Sequence, residues 1–168
     1  MTGSFCHASI HGWQWLAQSC VRLSAREGGL VDLNARCDVS PREQGFVERV
    51  LHKTCRGIQV QQVIYEGGIS DPCNVVFMEL SDAPTLRFFF DGGVFFWREE
   101  EPAPIPASVG FRYRLLRPEA FRVLEQKRVL TAAFSLLPRQ RRVLELRFET
   151  GVALYLQNAD DKNTVVIG

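Results

Sequence analysis

Apolar and polar residues change rhythm several times along this chain, and each change predicts a different element. Over residues 10–24 the apolar positions Ile10, Trp13, Trp15, Leu16, Cys20, Val21 and Leu23 leave strand and helix undecided, and Gly28-Gly29 closes the stretch. Val31, Leu33, Ala35 and Cys37 then alternate with Asp32, Asn34 and Arg36, which is the period of a half-buried strand. Ser40-Pro41-Arg42-Glu43 is the clearest local signal. Serine suits the N-cap, proline the first helical position, and glutamate three residues on completes a capping box. The helix it opens is expected to run to about Thr54, to bury Phe46, Val47, Val50 and Leu51, and to end before Gly57.

Beyond Gly57 the pattern turns to strands. Ile58 to Tyr65 and Val75 to Leu80 read as strands, with Gly67-Gly68 and Asp71-Pro72 as the turn between them. A hairpin is then written twice. Leu86 to Trp97 lines up without a gap on Leu144 to Tyr155, which sets Phe90 on Phe148, Asp91 on Glu149 and Gly93 on Gly151. Each copy is an apolar strand, an acidic-x-Gly turn and a second apolar strand; the Asp91-Gly92-Gly93 turn supplies residues that tolerate positive φ. Unrelated hairpins share alternation and glycine turns, and that plainer reading stands beside the repeat.

The second half echoes the first. Pro118-Glu119 opens a short helix carrying Phe121, Val123 and Leu124, and Arg128 to Leu136 reads as a strand. Pro138 to Arg142 turns the chain into the second hairpin, and Thr164 to Ile167 adds an edge strand. The expected fold is therefore α+β. Its antiparallel, strongly curved sheet would be built from two similar β-hairpin units, with one or two short helices packed on it. The chain is expected to form a single domain over 1–168. Its two related halves, about 40–101 and 110–168, would be joined by a Pro-rich connector at 102–106 that follows Glu99-Glu100-Glu101.

Composition narrows the class of function. At 168 residues, 46% apolar and 23% charged, the chain has the means for a substantial core and is unlike a disordered one. A net charge of +1 lacks the basic footprint of a nucleic-acid binder, and Arg139, Arg141 and Arg142 read as a solvated turn. No run of apolar residues is long enough for a membrane span, and the N-terminus lacks the features of a secretory signal. Cys6, Cys20, Cys37, Cys55 and Cys73 are odd in number and contain no C-x-x-C pair, so they read as reduced thiols of a cytoplasmic protein.

Chemistry-bearing residues are sparse. His7 and His11 lie four apart beside Cys6, a spacing that suits two zinc ligands on one helix face, but no carboxylate shares the segment. His52 falls near the end of the expected helix, where the dipole favours a cation. No G-x-S-x-G, P-loop or H-E-x-x-H motif occurs. Asp91 sits where a hairpin turn wants aspartate, and Asp160-Asp161 follows Asn158 in a loop that fits no EF-hand. Neither cofactor nor metal is expected. The aromatic residues carry more: Phe88, Phe89, Phe90, Phe95, Phe96 and Trp97 put rings on both faces of the first hairpin. One face must supply the core. The other is covered by the N-terminal segment, lines a ligand pocket, or meets a partner.

The stretch Val143 to Asp161 resembles a pattern recurrent in small bacterial immunity proteins: an apolar alternating strand, Phe148-Glu149-Thr150-Gly151, an apolar strand, then Asn158 and Asp160-Asp161. The families involved share neither one fold nor one inhibitory site, so no functional residue carries over. The resemblance implies a single-domain cytoplasmic binder that occludes the active site of a cognate toxin. The candidate partner surface combines Trp97, Glu99, Glu100 and Glu101 with Asp160 and Asp161, since acidic residues imitate phosphate where the partner is a nuclease. A small-ligand-binding or sensing domain, with an aromatic pocket in the curved sheet, is the alternative. An enzyme requires a histidine or carboxylate pair converging in a cleft. An edge strand left open by two half-sheets also allows a homodimer.

Overall fold

The computed structural model describes residues 39–103, 109–137, 141–159 and 162–168. The apolar segment 10–24, the strand expected over Val31 to Cys37, and the Cys6, His7 and His11 group lie outside them. So do Pro104 and Pro106 of the connector, Arg139, Asp160 and Asp161.

Helix α1 (Pro41–Val50) starts as the capping box dictates. Ser40 Oγ accepts from Glu43 N at 3.3 Å, and Glu43 Oε2 accepts from Ser40 N at 2.8 Å. The helix ends sooner than expected. Leu51 leaves it, and His52 adopts a left-handed φ of 63° while its N–H donates to Val129 O at 2.9 Å. His52 therefore serves the turn out of α1 through its backbone, in a conformation histidine enters more readily than most residues.

Nine strands follow among the described residues: β1 (Thr54–Tyr65), β2 (Gly68–Leu80), β3 (Leu86–Asp91), β4 (Val94–Glu99), β5 (Phe111–Leu116), β6 (Lys127–Leu137), β7 (Arg141–Phe148), β8 (Ala153–Ala159) and β9 (Lys162–Ile167). A 3-10 helix, Glu119–Leu124, precedes β6 and buries Phe121 and Leu124 while Val123 stays exposed. All pairings are antiparallel, in the order β4-β3-β2-β1-β6-β7-β8-β9, with β5 on β1 beside this path. The architecture is thus mostly β: an open, curled antiparallel sheet with few helices, as expected of the sheet, though the α+β class gives helix more weight than it has. The segments read as helical supply only one regular helix and one short 3-10 turn.

Two four-stranded meanders, β1 to β4 and β6 to β9, meet where Thr54 and Cys55 pair with Arg128 and Lys127. The same edge of β1 gives its outer part, Val60 to Tyr65, to β5. β9 comes to lie against β2 and β3, which closes the curl over one core. Phe46 of α1, fully buried, fills its middle. Its ring lies 5.1 Å from Phe88, 4.9 Å from Phe95 and 6.4 Å from Phe134. Each apolar side chain of this size contributes about 1.5–3 kcal/mol on burial, so the rings that alternate inward from β3 and β4 anchor both meanders to α1.

Two expectations about strands change. Asp71-Pro72 is not a turn: β2 runs straight through it as a bulge, in which Val63 pairs with Asp71 and Gln61 with Val75. Proline cannot donate to a ladder, and a bulge is where a strand tolerates one. Asp71 Oδ1 accepts from Cys73 N at 2.9 Å and supports the kink. The two matched hairpins also differ. β3 and β4 close on the pair Asp91 and Val94, with Gly92 and Gly93 at φ of 52° and 75°. β7 and β8 close through Phe148 N to Val152 O at 2.9 Å, a loop one residue longer. In the sheet, β3 and β4 are the last strands of their meander, whereas β7 and β8 are the middle strands of theirs. The gapless match therefore joins strands that are not equivalent.

Candidate functional site

The acidic run after β4 is engaged within the chain. Glu99 pairs with Arg49 of α1 at 2.5 Å. Glu100 meets both Arg98 and Arg87, and Glu101 Oε1 accepts from Thr85 N at 3.4 Å. Partial burial works against the Glu100 charge, but Arg98 and Arg87 outweigh it and hold this carboxyl below the usual carboxylate range. Trp97 points towards α1, where its Nε1 donates to Arg42 O at 2.7 Å and its ring lies 6.0 Å from Phe46. Trp97 and Glu99 thus form a seam between β4 and α1, whereas Glu100 and Glu101 are held by Arg98, by Arg87 of β3 and by Thr85 just before it. Asp160 and Asp161, the other half of the expected surface, lie outside the described residues.

The rings of the first hairpin divide as the strand period requires. Phe88, Phe90 and Phe95 are buried in the core. On the outer face Phe89 and Phe96 stack on each other at 5.5 Å, with the Arg87 guanidinium 5.3 Å from Phe89 and that of Arg42 4.9 Å from Phe96. Cation–π contact of this kind suits half-buried rings at a surface.

Buried polar groups elsewhere are structural. Glu43 is 1% exposed, and its Oε1 lies 2.7 Å from Arg142 of β7. This contact is close but poorly aligned for a hydrogen bond, so it acts as an ion pair. Cys55 and Cys73 are buried free thiols, and burial pushes both up to about 12, far from a reactive thiolate. Among the described residues no group of three His, Cys, Asp or Glu side chains could hold a metal ion, and no helix is long and apolar enough to cross a membrane.

The exposed chemistry gathers elsewhere, on the part of the sheet that projects beyond the core. The outer half of β1, the start of β2 and the whole of β5 form a three-stranded wing. Register puts Tyr65 opposite Phe111, Val63 opposite Tyr113 and Gln61 opposite Leu115, so all six lie on one face. Tyr65, Phe111, Tyr113 and Leu115 are each between 37 and 42% exposed, too much for core residues of this size. The Tyr65 and Phe111 rings are 4.6 Å apart. The opposite face carries Arg112 and Arg114, both exposed.

The wing is fastened at its tip. Gly110, at φ 81°, accepts at its carbonyl from Glu66 N at 3.1 Å, and a Cβ there would come within 3.1 Å of the Tyr65 ring. Glycine alone fits this approach. Sequence reasoning passes over this surface, although Phe111-Arg112-Tyr113-Arg114-Leu115 alternates as a strand should.

No protein-family model matches the chain, and neither a curated protein nor a solved structure matches it.

Proposed function

We propose that this chain is a non-enzymatic protein-binding module, an immunity protein that neutralises a cognate bacterial toxin by occluding its active site. The observation that carries the binding reading is the wing. It presents Tyr65, Phe111, Tyr113 and Leu115, half-exposed and held on paired strands. Rigid aromatic anchors ringed by charge are what protein interfaces concentrate. The immunity assignment rests on the resemblance of Val143 to Asp161, and it places the protein in the bacterial cytoplasm.

The docking surface moves with this reading. Trp97, Glu99, Glu100 and Glu101 have partners within the chain and would have to exchange them on binding. The wing residues carry no such cost. A small-ligand module needs rings that line a space. Phe46, Phe88, Phe95 and Phe134 instead take one another as neighbours.

Affinity capture of the tagged chain from its source bacterium tests the proposal. One stoichiometric partner that survives a high-salt wash, and whose toxicity on expression is suppressed by this chain, is the expected result. Recovery of the chain alone overturns the immunity reading.

A further inference from the structure

Resting on the protein-binding reading, we propose that β5 is a docking edge for an extended segment of the partner, alternating apolar and acidic residues, added as a further strand of the sheet. Three observations combine here: a main-chain edge unpaired among the described residues, an apolar face, and two arginines with no carboxylate partner among those residues.

β5 pairs with β1 on one side and with no described residue on the other. In an edge strand every second residue turns its N–H and C=O away from the sheet, where a further strand can take them. The other two terminal strands are differently placed. β4 is flanked by α1 through the Trp97 and Glu99 contacts, and β9 lies against β2.

Charge decides what the edge accepts. Arg49, Arg87, Arg98, Arg117, Arg122, Arg128, Arg142 and Arg147 each meet a carboxylate. Among the described residues Arg112 meets none, as is true also of Arg42 and Arg56 away from this edge, and Arg114 donates only to the neutral Gln62 Oε1, at 3.0 Å. A strand laid beside β5 places alternate side chains on its two faces. Those beside Phe111, Tyr113 and Leu115 must be apolar, and those beside Arg112 and Arg114 acidic.

A second copy of this chain is the poorer occupant. Two β5 strands paired antiparallel over four or more residues, in a register that keeps their rings on one side, set Arg112 opposite Arg114 or Arg114 opposite Arg114. Like charges directly opposite destabilise a strand pair. The arginines thus guard the edge against self-pairing while leaving it open to an acidic strand.

The test uses a fluorescein-labelled octapeptide of alternating valine and glutamate with the full chain, read by anisotropy. Saturable binding is expected, weakened about tenfold or more when lysine replaces every glutamate. The double variant Arg112→Glu with Arg114→Glu should reverse that preference. N-methylation of every second peptide residue, in one of its two phases, should abolish binding and in the other leave it, because only one phase faces β5. Equal binding of the valine–glutamate and valine–lysine peptides overturns the proposal, as does indifference to both N-methylated phases. A dimer in sedimentation that is lost in Tyr113→Arg names a second copy as the occupant and overturns it too. If the peptide fails while a captured toxin is still held through Tyr65 and Phe111, strand addition is wrong and the protein-binding reading stands. If neither peptide nor toxin is held, both fall.

Discussion

The side chain of Asn163, on β9, takes both backbone hydrogen-bonding groups of Phe90, on β3: its Nδ2 donates to Phe90 O at 2.9 Å and its Oδ1 accepts from Phe90 N at 3.3 Å. An amide has one donor and one acceptor side, so it mimics a passing strand at a point where the sheet has none. Asn158 Nδ2 reaches the same Oδ1 at 3.4 Å, and both asparagines are buried. This clamp links the two meanders at strands far apart in the sheet order.

Replacement Asn163→Leu keeps the branching and heavy-atom count of the side chain and removes the clamp. Two buried backbone groups lose their partners, at about 1–3 kcal/mol each. Urea unfolding should show a loss of roughly 2–6 kcal/mol against wild type. Unchanged stability would mean that water replaces the amide and that the curl does not depend on it.

The Glu43–Arg142 pair predicts an asymmetry. Glu43 is 1% exposed, whereas the Arg142 side chain is 27% exposed. Arg142→Met strands a carboxylate in the interior, a loss of about 3–5 kcal/mol for buried pairs broken from one side. Glu43→Gln leaves an arginine that can turn to water, and the loss should be smaller. Denaturation midpoints of the two variants rank them directly, and the opposite order would refute the pairing described.

Cys55 and Cys73 set an alkaline limit. Their folded pKa is raised, by burial first, from 9.0 to about 12. Below pH 9 both states hold the proton and stability is unaffected by these groups. Between about 9 and 12 the unfolded chain ionises first, so stability falls as pH rises, by up to about 1.4 kcal/mol per pH unit for each thiol. Alanine at both positions should flatten this slope. In the native protein at pH 8 neither thiol should react with a disulfide reagent except through unfolding.

Gly110→Ala is expected to loosen β5. The substitution forces a side chain into φ 81° and within 3.1 Å of the Tyr65 ring. Strain of this kind costs about 1–3 kcal/mol. Hydrogen exchange should report faster exchange over Phe111 to Leu116 with β7 and β8 unaffected. Uniform acceleration would place the tip of the wing in the same cooperative unit as the core.

Elements whose cause is local were legible in the sequence by itself. The capping box of Ser40 and Glu43 starts α1 because both hydrogen bonds lie within four residues. Asp91-Gly92-Gly93 makes a hairpin because its glycines accept positive φ, and alternation then decides which rings face inward. Where the cause is non-local, only the tertiary structure decided. Asp71-Pro72 has turn chemistry, yet pairing with β1 on either side carries β2 through it. The two hairpins read alike because alternation is blind to where a strand sits in a sheet. Glu99 and Glu100 look like a free acidic surface until the fold delivers Arg49, Arg87 and Arg98 to them. The exposed rings of β5 have the pattern of a buried strand, and they are exposed because β1 carries β5 beyond the core. Burial and charge pairing are properties of what comes alongside, and along the chain no residue specifies its neighbour across the sheet.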